Sequence, residues 1–514
     1  MRGSPDSIKI KQSTAMSPIT GLTAWLFAQG GTVGPVHFEQ SKLGAGVGCF
    51  AQRPLVNGEQ LCAVPFSATI TADIGELCEE GPRAALAARL ARELLDAEAS
   101  NYHQYTNILP RRGESEMHML WWSEVEREAL IGSNAALECE SLSVEVREVG
   151  RMLGLGMLAD KVRRHGRVEV QEAVRTAYVS VLSRSFSLGE GDDARQVMVP
   201  VIDWLQHSGQ PTVTYAAETC PQSGEAWIIA RSNGDQPVGV ELTLDYGDHP
   251  AFVFATHYAF VPPLAQRCSL SYTHLCFEEG AGIHASAQLG LGAAAVLAAQ
   301  EAAEGEVEVA DDADERGDDQ ALAALLRGAG TASSWPLTFG ISLDDLDNAT
   351  AASTGALAPL CTSARLCSLE DDGTGASAEA QVQRATRKLL RTPSHGLDGT
   401  NDVEAAALLT RTACAQQRLL DQAEERAMAA DAAAADEAAA SDKAAETFAA
   451  VHGERSSSGH APKQEDTRRQ LGAARRQRRS DCRELARAVR TSERRVLHLL
   501  CSGPSVGRLF GLTD

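Results

Sequence analysis

Two β-rich stretches of this chain, residues 36–65 and 197–263, are separated by about a hundred residues whose apolar positions recur at helical spacing. Neither stretch carries enough strands to bury a face by itself. The two must combine, so the helical run at about 82–181 reads as an insertion within one β domain, not as a domain of its own. In the second stretch an apolar run, Val197-Met198-Val199-Pro200-Val201-Ile202, leads into a polar knot, Asp203-Trp204-Leu205-Gln206-His207-Ser208. Residues 227–231 and 238–246 read as strands joined by the turn-rich Ser232-Asn233-Gly234-Asp235. The second of these ends on Tyr246 beside Gly247, and residues 255–261 close the unit. A strand-end tyrosine with a histidine and an aspartate in tight polar turns suits an active-site floor. By residue type alone a satisfied strand-end tyrosine and a buried, hydrogen-bonded core histidine are the commoner reading.

The first stretch begins after an amphipathic helix over 20–30, where Leu22, Trp25 and Leu26 share a face and Gly30-Gly31 stops it. A strand over 36–39 precedes Gly44-Ala45-Gly46-Val47-Gly48, a glycine-rich bend entering a second strand. This is not a dinucleotide fingerprint, because the glycine spacing is wrong and a strand follows where a phosphate-binding helix is required. Glycines here either let backbone carbonyls approach a ligand or simply turn a hairpin. A further strand over 61–65 follows the Asn57-Gly58 turn. In the insertion, Leu86, Leu90 and Leu94 line one helix, Ser123-Glu124 offers a capped start, and 144–158 and 168–182 continue the pattern.

With 514 residues the chain has room for two or three domains and a sizeable core. A net charge of −22 argues against a general nucleic-acid binder, which needs clustered Lys and Arg to neutralise phosphates. The charge is uneven, with acids concentrated over 301–319 and arginines over 468–495. The 12 cysteines include no C-x-x-C pair and no metal-ligand spacing, which fits reduced, buried thiols inside a cell and no metal. No apolar run approaches the roughly 20 residues of a membrane span. Residues 1–19 read as a disordered leader, basic enough to suggest an organelle transit peptide. The compartment expected is the cytoplasm or nucleus, with a plastid as the alternative. Beyond residue 263 the chain changes to amphipathic helices at 321–326, 403–420 and 483–500, interrupted by low-complexity segments. Residues 428–445 read as exposed loop or marginal helix, and the arginines over 468–479 as a solvated helix face.

Taken in order, these motifs resemble SET-domain protein methyltransferases of the Rubisco large-subunit lysine methyltransferase type. The likeness rests on Gly46-Val47-Gly48-Cys49-Phe50-Ala51, Gly58-Glu59-Gln60-Leu61, Tyr105 with Ile108-Leu109-Pro110, and Ser183-Arg184-Ser185-Phe186. It continues through Asp203 to Ser208, Glu241 to Gly247 and Tyr258-Ala259-Phe260-Val261. It covers residues 20–263 well and extends more loosely to 359–366 and 485–496. The resemblance implies an α+β fold of curved β-sheets with a knotted core, a helical insertion and an all-α C-terminal domain over 264–514 that serves the protein substrate. It implies S-adenosylmethionine as cofactor, a protein lysine as acceptor and a monomer as the working unit. It would place Ala45, Val47, Arg184, Gln206, His207 and Tyr246 around the cofactor, with Tyr246 at the point of methyl transfer. Ser183, Phe186, Asp203, Leu205 and Tyr258 would hold the substrate side chain.

Residue chemistry is compatible with those roles. Methyl transfer from a sulfonium is an in-line displacement, governed by alignment of a neutral amine. Apolar walls and carbonyl or hydroxyl oxygens around the methyl suit it, and a phenol with an ordinary pKa of about 10 serves better as a fixed dipole than as a base. Two departures from the family pattern stand out. Gln206 replaces the family's Asn, and Ala259 replaces a glycine, which is acceptable at negative φ. An Asn in the histidine-methylating branch corresponds to Phe186 here, and an apolar ring favours a lysine stem over an imidazole. A histidine methyltransferase and a degenerate SET-like binding module remain the alternatives, the latter because of Gln206.

Overall fold

The computed structural model describes residues 18–43, 46–72, 81–113, 117–156, 158–188, 195–219, 224–264, 270–277, 337–342, 346, 364, 399–452, 462–502, 506 and 509–510. Ala45, most of the leader, the acidic segment 301–319, the segment 321–326 and all of 359–366 but Ala364 lie outside them. The chain divides into two compact units, one of residues 1–116 and 141–247, the other of 117–140 and 248–514.

The first unit holds three small sheets. In one, the order is β1 (Thr32–Val33), β4 (Gln60–Pro65), β10 (Ala226–Ser232), β9 (Val213–Thr219). The second runs β2 (Val36–Gln40), β3 (Val47–Ala51), β11 (Glu241–Leu244), β8 (Gln206–His207). The third runs β5 (Ile70–Thr71), β7 (Arg195–Met198), β6 (Ser185–Leu188). The strands expected over 227–231 and 238–246 both form, but the second is confined to Glu241–Leu244 and the two are not partners. β10 pairs with β4 and β9, while β11 pairs with β3 and β8. The turn between them instead clasps the Asn57 turn: the Asn57 N–H donates to Asp235 Oδ1 at 2.9 Å and the Gly234 N–H to Asn57 Oδ1 at 2.9 Å. All four residues of β11 are buried, as befits a strand covered on both faces.

The β11–β8 ladder is parallel, with Thr243 opposite Gln206 and Leu244 opposite His207. Parallel neighbours need a long crossover. Here the chain leaves His207, contributes β9 and β10 to a different sheet, and returns beside itself. Around these sheets, the helix Gly81–Asp96 packs its Leu86, Leu90 and Leu94 face against the helix Arg167–Arg184, whose Val170, Val174, Ala177, Tyr178 and Val181 are buried. The helix expected from Val144 begins at Asn134, because the small Ala135 and Cys139 extend its buried stripe without large apolar residues.

In the second unit, Met119, Trp122, Leu130, Phe252, Ala255, Leu485 and Val489 share one core. The helices Gly399–His452 and Pro462–Cys501 dominate it, with an antiparallel ribbon of β12 (Tyr272–Phe277) and β13 (Leu337–Ser342) added to what the sequence reads as all-helical. The first long helix buries Leu408, Leu409 and Leu420 and continues through the alanine-rich 428–445, since alanine is the best helix former. One arginine of the basic segment is not solvated. Arg478 Nε meets Glu126 Oε1 at 2.8 Å, and Glu126 also closes the capping box with Ser123.

Candidate functional site

The polar knot opens with strain. Val201 is buried at φ 73°, a conformation costly for a β-branched side chain, and the short 3-10 turn Ile202–Trp204 follows it. That turn sinks the Asp203 side chain completely into the protein, where two partners meet one of its oxygens. The Tyr105 hydroxyl donates to Oδ2 at 3.0 Å, and Arg184 Nη1 donates to the same oxygen at 3.2 Å. Arg184 Nη1 also donates to the Asp203 backbone carbonyl at 3.2 Å. Oδ1 is buried and has no partner among the described residues. Burial lifts the Asp203 carboxyl above the usual carboxylate range, with Arg184 and Tyr105 pulling against it. Burial also works against the Arg184 charge, but Asp203, Tyr105 and Tyr246 more than offset it, so the guanidinium is held more firmly protonated. The Tyr105 phenol is driven well up by burial and by the neighbouring carboxylate.

Past the turn, Leu205 turns its carbonyl to the Tyr246 hydroxyl, which donates to it at 2.7 Å. The Tyr246 backbone N–H donates to His207 Nδ1 at 3.2 Å, so the neutral ring carries its proton on Nε2. Asp245 Oδ1 lies 3.9 Å from the same nitrogen, and the His207 and Tyr246 rings sit 5.2 Å apart. Gln206 reaches across the sheet, and its Nε2 donates to the Val47 carbonyl at 2.8 Å. Just before Val47, Gly46 has φ 96° and open space where a Cβ would stand, leaving that backbone approachable.

Of the residues singled out in the sequence, Val47, Arg184, Asp203, Leu205, Gln206, His207 and Tyr246 thus converge in the first unit through direct bonds or the β8–β11 junction. Phe186 packs edge-on to Tyr215, with centroids 4.9 Å apart, and Ser183 spends its hydroxyl on the Val179 carbonyl at 2.7 Å within its helix. Tyr258 belongs to the second unit, in an aromatic group with His249, Phe254 and Phe260. Ala259 takes φ 63° and ψ 27°, so the negative φ that would make an alanine acceptable there is not adopted. The alanine instead holds the left-handed conformation natural to the glycine it replaces, closing the π-helical turn Phe254–Tyr258. Two contributors escape sequence reasoning. Tyr105 is visible there only as part of a motif, because its partner is 98 residues away. Glu241 holds the loop before Val47, accepting from Ser41 Oγ at 2.6 Å and from the Lys42 N–H at 2.8 Å.

No protein-family model and no curated protein matches this chain. Among solved structures, the SET domain of LSMT bound to MeLysine and AdoHcy is similar at TM-score 0.61 and 15% identity, covering 95% of this chain and 91% of that one. The same domain bound to lysine and AdoHcy gives TM-score 0.60 at 15% identity, covering 94% of this chain and 90% of that one. Rubisco LSMT bound to AdoMet gives TM-score 0.59 at 16% identity, covering 95% and 91%. Neighbours so distant in sequence speak for architecture, and with the parallel β8–β11 junction and the flanking small sheets they establish that this chain has the SET fold.

Proposed function

We propose that the chain is an S-adenosylmethionine-dependent protein methyltransferase that modifies lysine. The carrying observation is the convergence at the β8–β11 junction, where the Tyr246 hydroxyl, the Leu205 carbonyl and the Gln206–Val47 bond are brought together on a SET fold. The residues fit the cofactor on three counts. Arg184 is held protonated and, among the described residues, bonds only through Nη1, which suits a carboxylate. The backbone at Gly46 is open to close approach, and carbonyls of Val47 and Leu205 supply oxygens. When bound, the cofactor supplies an electrophilic methyl on a sulfonium.

The protein's part is alignment and electrostatics. Tyr246 is fixed at both ends, its hydroxyl by Leu205 and its backbone N–H by His207, so its phenol oxygen is a preorganised dipole. The lone pairs of that oxygen suit a polarised methyl, held by weak C–H···O contacts. Phe186, packed edge-on against Tyr215, offers an apolar wall to an aliphatic lysine stem and nothing to an imidazole. Ser183, Asp203 and Leu205 complete the assignment to the acceptor side within the first unit, and the helices of 264–514 serve the protein that carries the lysine.

The acceptor protein need not be identified for the test. Protein is incubated with methyl-labelled S-adenosylmethionine and an extract of its own cells, and labelled proteins are hydrolysed to amino acids. Methylated lysine is expected, with Tyr246→Phe lowering its yield by about 10²–10³-fold while calorimetric cofactor affinity stays within a few-fold. Methylated histidine alone would overturn the acceptor assignment, and no cofactor binding in the wild type would overturn the enzyme.

A further inference from the structure

Carboxylate and guanidinium groups usually meet as two parallel hydrogen bonds, fork to fork. The Arg184–Asp203 pair does not. Both donors fall on Oδ2, the Tyr105 hydroxyl at 3.0 Å and Arg184 Nη1 at 3.2 Å, while Oδ1 is buried with no partner among the described residues. Nη1 is further occupied by the Asp203 carbonyl, and among the described residues Arg184 makes no hydrogen bond through Nε or Nη2. The Asp203 side chain is 0% exposed and that of Arg184 25% exposed, so of the two only Arg184 keeps any open surface. A buried carboxylate oxygen lacking a donor beside a guanidinium with two idle nitrogens is an unfinished pairing, and something must hold it open.

We infer that Tyr105 is a positioning residue, whose hydroxyl keeps the Arg184–Asp203 contact single-pointed so that the remaining donors of Arg184 stay available to an anionic ligand group. On the function proposed above, that group is the carboxylate of S-adenosylmethionine. Tyr105 is 0% exposed and has one proton to donate, which it commits to Oδ2. Without that hydroxyl, Asp203 presents two under-satisfied oxygens. The guanidinium is the donor at hand, and turning it to bond both oxygens consumes the nitrogens the ligand needs. Tyr105 therefore acts on ligand selectivity through Arg184, without touching the ligand.

The test compares calorimetric affinities for S-adenosylmethionine and its decarboxylated analogue, which keeps the sulfonium and the ammonium. Wild type is expected to prefer the carboxylate-bearing compound by roughly tenfold or more, the worth of one charge-assisted contact. Tyr105→Phe is expected to shrink that preference to about threefold or less, chiefly by weakening S-adenosylmethionine and not the analogue. The double variant Tyr105→Phe/Asp203→Asn removes the second acceptor oxygen as well. It is expected to recover most of the wild-type preference, and it remains informative where the single variant fails to fold. A folded Tyr105→Phe with the wild-type preference, or a double variant as unselective as Arg184→Ala, overturns the inference and leaves the enzymatic reading intact. Wild-type protein that binds both compounds equally also overturns it, whereas wild-type protein that binds neither takes the enzymatic reading down with it.

Discussion

Ala259 carries a side chain in the left-handed region, which costs roughly 1–2 kcal/mol relative to a right-handed residue. Glycine lifts that penalty at some cost in unfolded-state entropy, so Ala259→Gly is expected to raise stability by about 0.5–1 kcal/mol in urea denaturation. A loss on that substitution would mean that the methyl group packs better than its backbone suffers. Gln206 shows the opposite relation between residue and family pattern. The sequence presents it as an Asn grown too long, but its length is what spans to the Val47 carbonyl at 2.8 Å. Shortening it to asparagine is expected to lower stability by about 1 kcal/mol and to weaken cofactor binding, where the family comparison alone predicts tightening. Chemical denaturation and calorimetry of the one variant decide between the two.

At the scale of elements, β11 is the strand on which the candidate site hangs, with β3 on one side and β8 on the other. Its first residue, Glu241, faces Gly48 on β3 so closely that a Cβ there would collide with the Glu241 carboxylate and with the Phe50 ring. Gly48→Ala is therefore expected to destabilise by about 2–3 kcal/mol and to loosen the loop held through Ser41 and Lys42, seen as faster amide exchange at Lys42. Much of this framework is legible in the sequence, because β2, β3, β4 and the helix Arg167–Arg184 announce themselves by local periodicity and turns. The pairings are not. Residues 226–244 look like a hairpin because the turn chemistry at Asn233-Gly234 is that of one, yet the two strands go to different sheets. The site obeys the same rule: His207, Gln206 and Tyr246 stand out through motif order, whereas the Tyr105–Asp203–Arg184 group depends on contacts no local pattern encodes.

At the scale of the molecule, the two units carry different buried charges. In the second, Glu493 is fully buried and accepts the Asn134 N–H at 2.8 Å, and burial pushes its pKa up to about 8 despite that bond and the nearby Arg490. A carboxyl raised from its unfolded 4.5 to about 8 favours the folded state while protonated. Its contribution is complete below pH 4.5 and fades as pH climbs to about 8, by up to roughly 5 kcal/mol. The melting temperature should accordingly fall between about pH 4.5 and pH 8 and level off above that, and Glu493→Gln, which keeps an acceptor for Asn134, should flatten the profile. An unchanged slope in that variant would assign the pH dependence to the general negative charge of the chain.

In the first unit, the candidate site draws Val47, Tyr105, Arg184, Gln206 and Tyr246 from segments scattered over most of the unit, and closes only when β11 lies down beside β8. During synthesis every earlier piece is made before the last one. The candidate site is therefore incomplete in the growing chain until Tyr246 has been made, and a ligand that needs the whole site has nothing to bind while the earlier strands are finding one another. On the function proposed above, a chain that stops before Tyr246 is expected to gain no thermal stability from S-adenosylmethionine, because the site that would bind it is never completed.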